Sequence, residues 1–194
     1  MSFTPPKSIA PRTWRRDNSE FFISTEKSLL SVKAVNEAYG REFIYWANPF
    51  DEEILHQMLH GCMSFGVYRQ LRRSESQPEL ETPSADNTEQ IGLARMITDG
   101  VTFGYLTDVY VLPEYQGYGL GSWLIECVSD VFSKANMPYI RRNMLLTSGE
   151  PLQKFYAKIF GMKVVGHEER KDIGKDLVFM CARPGAEPAA PAAQ

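Results

Sequence analysis

With 194 residues, 43% of them apolar and 23% charged, the chain has the length and balance of one globular domain that buries its own core. A net charge of -3 leaves no basic field for nucleic acid or an anionic membrane, and Arg12, Arg15 and Arg16 read as three solvated charges on a mobile terminus. No apolar run reaches the length of a signal peptide or a membrane span, so the expected setting is cytoplasmic, with neither membrane nor nucleic acid as partner.

Residues 1–19, with Pro5, Pro6 and Pro11 and little periodicity, are expected to form a flexible arm. Phe21-Phe22-Ile23 predicts a short strand. Leu29, Leu30, Val32, Val35 and Ala38 recur at helical spacing up to Gly40. The aromatic run Phe43-Ile44-Tyr45-Trp46 is broken by Asn48-Pro49, and Asp51 opens a helix with Ile54, Leu55, Met58 and Leu59 that stops at Gly61. Met63 to Leu71 predicts a strand. Residues 72–90 carry almost no large apolar side chain and are expected to be a mobile insertion in a hairpin. Ile91 to Thr98 and Val101 to Val111 predict two strands joined at the turn signal Asp99-Gly100.

After Val111 strands and helices alternate. Ser122 to Ala135 is amphipathic, with Trp123, Leu124, Cys127, Val128, Val131 and Phe132 as its buried stripe. Tyr139 to Leu146 predicts a strand, Pro151 to Phe160 a helix with proline in its first turn, and Met162 to Val165 and Leu177 to Arg183 two closing strands. Residues 184–194 are Ala-Pro-rich and expected to be disordered. The domain spans 20–183. Its class is α/β: a mixed sheet of about seven strands with about four helices on both faces.

Cys62, Cys127 and Cys181 share no metal-ligand spacing and sit on no activated-nucleophile pattern. His56 and His60 lie four apart, but no glutamate follows His56 as a metalloprotease helix requires, so no metal is expected.

The chemistry concentrates where a strand runs through Gln116-Gly117-Tyr118-Gly119-Leu120-Gly121 directly into a helix. The first amides of a helix have no internal partner, and the positive end of its dipole points outward. Glycines let that backbone approach an anion closely, which makes a phosphate cradle. No Gly-Lys-Ser/Thr follows, so this is not a Walker loop. The glycines read Gly117-x-Gly119-x-Gly121, not the dinucleotide fingerprint.

The run Asp108-Val109-Tyr110-Val111-x-Pro113-x-Tyr115-Gln116-Gly117-Tyr118-Gly119-Leu120-Gly121 resembles the acetyl-CoA signature of the GNAT superfamily, Arg/Gln-x-x-Gly-x-Gly/Ala after a V-x-P strand end. Gln116, Gly119 and Gly121 fill its defining places. Thr147 to Met162 resembles the second motif of that superfamily, with Tyr156 as the helical tyrosine, and the likeness covers about residues 20 to 183. Tyr45-Trp46-Ala47 is similar to a segment of small members of the superfamily.

The resemblance implies a mostly antiparallel sheet splayed between its fourth and fifth strands, Val101 to Val111 and Tyr139 to Leu146. It implies acetyl-CoA as co-substrate, held by Val109, Tyr110 and Val111 along the strand, by Gln116, Gly117, Tyr118, Gly119, Leu120, Gly121 and Ser122 at the pyrophosphate, and by Thr147. Tyr156 would protonate the departing thiolate, although Gly161 lies five residues after it where the superfamily usually has four. Asp108 is either the base, directly or through water, or a structural carboxylate capping a neighbouring loop. Tyr45 and Trp46 either line the acceptor pocket or pack in the core. The implied reaction is acetyl transfer to a primary amine of a small molecule by direct attack in a ternary complex, in a monomer or homodimer. A protein or peptide amine as acceptor, or acyl-CoA binding without turnover, are the alternatives.

Overall fold

The computed structural model describes residues 10–71 and 82–164. Its six strands are β1 (Thr13–Arg15), β2 (Phe21–Ser24), β3 (Met63–Gln70), β4 (Thr88–Thr98), β5 (Phe103–Val111) and β6 (Arg142–Leu145). They lie in one sheet in chain order, antiparallel from β1 to β5, with β6 parallel to β5. The α-helices are α1 (Val32–Tyr39), α2 (Glu52–His60), α3 (Leu120–Val131) and α4 (Glu150–Phe160). None of the described helices is long and apolar enough to cross a membrane.

Residues 64–68 of β3 and 90–96 of β4 are buried without interruption. Successive side chains of a strand point to opposite faces, so these runs require cover on both sides of the sheet. The helices supply it, α1 and α2 packing as one pair and α3 and α4 as another. The predicted stripe of α3 is buried from Trp123 to Phe132, and Ile125 joins it. Local sequence sets the helix ends. Ser31 accepts the Ala34 amide at 3.1 Å to cap α1. Glycines 40 and 61 close α1 and α2, and Gly161, at φ 66°, closes α4 in the left-handed conformation.

Several boundaries differ from the sequence reading. Thr13–Arg15 lies within the stretch expected as a free arm, yet it is an edge strand in register with Phe22–Ser24. The pairing is locked by Thr13 and Ser24 hydroxyls 2.8 Å apart and by Arg12 bonding to Thr25, long-range contacts that proline content does not reveal. β4 begins at Thr88, inside the span expected as an insertion, because the Asn87 carboxamide closes a turn onto the Ser84 amide and leads the chain into the sheet. The described residues hold six strands rather than about seven: residues 162–164 are not extended in a sheet, and the strand expected at 177–183 lies outside the described residues, as do 72–81 and 184–194.

β5 and β6 pair only from Phe103↔Arg142 to Leu106↔Leu145. Beyond that point β5 continues for five residues, Thr107 to Val111, without β6 beside it. The sheet is therefore splayed where the sequence resemblance places the gap.

Candidate active site

The free edge of β5 is shaped by a bulge. Leu93 faces Tyr110 and Arg95 faces Thr107, so Ala94 of β4 is opposed by both Asp108 and Val109. Asp108 takes the left-handed conformation there, at φ 49°, which interrupts the two-residue alternation of a regular strand. Leu112 donates its amide to the Ile91 carbonyl at 2.9 Å. The antiparallel ladder alternates, so Tyr110 turns its backbone groups toward β4 while those of Val111 turn to the open side. Tyr110 is also buried through its side chain, which meets Phe43 edge-on. It therefore offers nothing to a ligand in the gap. The Val111 carbonyl on the open side accepts the Gln116 side-chain amide at 3.2 Å.

From this edge the chain passes through a 3₁₀ turn at Pro113–Tyr115 into the glycine loop and α3. Gly117 (φ 89°) and Gly119 (φ 70°) need the left-handed backbone, and Gly119 is the cap residue of α3. No side chain caps the helix and no acidic residue occupies its first turn. A β-carbon at Gly117 or Gly121 would meet nothing within 4 Å. The loop is thus an open concavity lined by unpartnered amides at the positive end of a twelve-residue helix. These residues fit a pyrophosphate. The Gln116 amide is the exception to the expected set, since it already bonds the Pro113 carbonyl at 3.1 Å.

Asp108 sits in the splay at the centre of a polar cluster. Its Oδ2 receives Arg95 Nε and Nη2, each at 2.6 Å, and its Oδ1 receives the Trp46 indole N–H at 3.2 Å. The third guanidinium nitrogen reaches the Cys62 sulfur at 3.5 Å. Burial opposes the charge of Arg95, but Asp108 and Cys62 outweigh it and hold the guanidinium above its ordinary pKa. Tyr39 points its hydroxyl into the same cluster, buried and without a hydrogen bond; burial first, then the Asp108 charge, raise its pKa.

Tyr45 and Trp46 do not pack in the core: they are 78% and 43% exposed and meet edge-on, ring centroids 5.1 Å apart. The Tyr45 hydroxyl lies 3.2 Å from Ser148 Oγ, which straps the 41–50 loop to the segment that enters α4. Thr147 is the neighbour of that strap rather than part of it. Tyr156 is only 9% exposed on α4 and contacts Phe155, while its hydroxyl has no protein partner among the described residues and is not sealed from solvent. Burial raises its pKa.

The fold therefore gathers Asp108, Trp46 and Tyr45 beside the β5 edge, the first two joined by a hydrogen bond and the last two by a ring contact, while among the described residues Tyr156 is linked to them by no hydrogen bond. Sequence reasoning missed Arg95, Tyr39, Cys62 and Ser148. Arg95 carried a signal, a lone cation in the apolar run Ile91-Gly92-Leu93-Ala94-Arg95-Met96-Ile97, because such a charge needs a buried partner.

Comparison with known proteins agrees with this geometry. The family model of the acetyltransferase (GNAT) domain matches residues 84–159, which include the bulge, the glycine loop and Tyr156. A curated candidate acetyltransferase of Gibberella zeae is 38% identical over 180 residues, covering 91% of this chain and 96% of its own. Among solved structures, a candidate GNAT-family acetyltransferase from Xanthomonas campestris shares the fold with a TM-score of 0.55 at 23% identity, over 81% of this chain and 93% of that one. A GNAT-family acetyltransferase of Streptococcus pneumoniae does so with a TM-score of 0.51 at 19% identity, over 84% and 99%. The chain belongs to the GNAT acetyltransferases.

Proposed function

We propose that the protein transfers the acetyl group of acetyl-CoA to a primary amine of a small molecule by direct attack in a ternary complex. The observation that carries this reading is the glycine cradle opening α3 directly beyond an unpaired strand edge. Acetyl-CoA supplies an activated thioester. The amides from Gly117 to Ser122 hold its pyrophosphate, and the outward backbone of Val109 and Val111 pairs with the pantetheine arm as an added strand would. For Val111, the Gln116 side chain gives up the carbonyl it now caps. Thr147 contributes a hydroxyl on the opposite side of the gap.

Tyr156 donates the proton that the departing sulfur needs; its raised pKa keeps the hydroxyl protonated through the neutral range. Asp108 serves as a positioning residue rather than the base, a reading supported by the two Arg95 nitrogens on its Oδ2 and the Trp46 N–H on its Oδ1. Tyr45 and Trp46 form the acceptor wall. The contact from Tyr45 to Ser148 ties together the two segments beside that space, which favours a small acceptor over a protein one. Cys127 is 3% exposed and its thiol is pushed up to about 12 by burial, which argues against that residue as an acyl carrier.

The test is release of free thiol from acetyl-CoA against a panel of alkylamines, arylamines, amino acids and peptides. Turnover of small amines is expected. Turnover of peptides alone would move the acceptor to proteins, and coenzyme A binding without any turnover would make the protein a binding module.

A further inference from the structure

The glycine loop has a charge deficit. Residues 116–122 contain no Lys or Arg, and Gln116 stands where the acetyl-CoA signature also accepts arginine. A helix start presents about half an elementary charge, whereas a pyrophosphate diester carries about two negative charges at neutral pH. Any cation that contacts a pyrophosphate here therefore comes from elsewhere in the fold.

The arm supplies one. Arg16, just past β1, places Nη1 4.0 Å from the point that a Gly119 β-carbon would occupy. Its guanidinium stacks on the Trp123 ring at 4.4 Å, which leaves the N–H edges of the plane free. Among the described residues its guanidinium makes no hydrogen bond, and its ionic partner there, Glu126 at 4.0 Å, forms an exposed pair of the weak kind. Arg16 is not a loose terminal charge: Arg15 is in register with Phe22, and the Ser19 amide closes the turn on the Arg16 carbonyl at 3.2 Å. Farther along the same flank, Arg12 bonds Asp130 and Asn136 near the other end of α3. A cleft of about 410 Å³ separates this hairpin from the loop, lined by Arg16, Asn18, Ser19, Glu20, Tyr118 and Trp123 among others. The Glu20 carboxylate in it is already paired with Arg69 at 3.2 Å.

We propose that Arg16 is a phosphate-binding residue of this site, closing the Gly117–Ser122 cradle from the side of β1 and contacting the pyrophosphate of coenzyme A. The proposal rests on the coenzyme A reading above. Arg16 exchanges its weak contact with Glu126 for a charge-assisted bond to a phosphate oxygen and keeps its stack on Trp123.

Calorimetric titration of the full chain with coenzyme A, dephospho-coenzyme A and pantetheine tests it. Arg16→Ala is expected to weaken both nucleotide ligands about tenfold or more and to leave pantetheine unchanged. The loss should shrink as salt is raised. Arg16→Lys should recover part of it, and Glu126→Gln should bind at least as tightly as wild type. Arg12→Ala, which loosens the arm without touching the loop, should bind normally. Unchanged affinity in Arg16→Ala overturns the proposal. So does a loss confined to coenzyme A, which would place Arg16 at the 3′-phosphate, or an equal loss in Arg12→Ala, which would make the effect one of arm docking. Wild-type protein that fails to bind coenzyme A would overturn the parent reading itself.

Discussion

Arg95 and Asp108 form an ion pair in the splay of the sheet, Nη2 to Oδ2 at 2.6 Å, with side chains only 10% and 9% exposed. Removing one member strands the other in a poorly solvated place. Arg95→Met is expected to lower the unfolding free energy by about 3–5 kcal/mol, read from urea denaturation. A loss below 1 kcal/mol would show that water reaches the pair and that Asp108 is not held as described.

If Asp108 acts through Trp46, removing either end of their hydrogen bond should have the same consequence. Asp108→Asn and Trp46→Phe are each expected to raise KM for an amine that turns over, with little change in kcat. The double variant should be no worse than the more affected single one, because the two changes share one interaction. Disappearance of an ionisation from the kcat/KM profile in Asp108→Asn alone would instead identify the carboxylate as the base.

Gly119 and Gly121 should respond to alanine with opposite signs. Gly119 is left-handed at φ 70°, so Gly119→Ala is expected to cost about 1–2 kcal/mol and to weaken coenzyme A binding. Gly121 lies in the helix with open space above it, so Gly121→Ala is expected to stabilise by roughly 0.5–1 kcal/mol. Its affinity for coenzyme A should stay within a few-fold of wild type, since the signature accepts alanine there. Destabilisation by Gly121→Ala would mean that the start of α3 is not helical at that residue.

Tyr156→Phe should lower kcat by about 10²–10⁴ while coenzyme A binding persists. Burial raises the Tyr156 pKa, so the phenol stays protonated through the ordinary tyrosine range. The alkaline fall in kcat that it causes should therefore lie above pH ~10. The same shift contributes stability that is intact below the unfolded tyrosine value of about 10 and is lost as pH rises through the higher folded value. An alkaline limb that survives in Tyr156→Phe would assign the ionisation to another group.

The parts of the site legible in the sequence are those whose causes are local. Left-handed glycines, a helix beginning at the next residue and an apolar strand before it are properties of consecutive residues, so the cradle from Gly117 to Gly121 and the helix carrying Tyr156 could be placed in advance. Glycines 40, 61 and 161 marked helix ends for the same reason. Features made by distant residues could not be placed. The bulge at Asp108 depends on registration with Ala94, the fate of its carboxylate on Arg95 and Trp46, and the docking of Arg16 on Trp123, 107 positions later, on an edge strand that proline content argued against. Backbone conformation follows from nearest neighbours, whereas the partner of a charge is chosen by which strands and helices meet. The sequence by itself determined the glycine loop and the open helix start that the proposed anion site uses. Only the tertiary structure decided that Asp108 is committed to Arg95 and that an arginine from the arm stands beside the cradle.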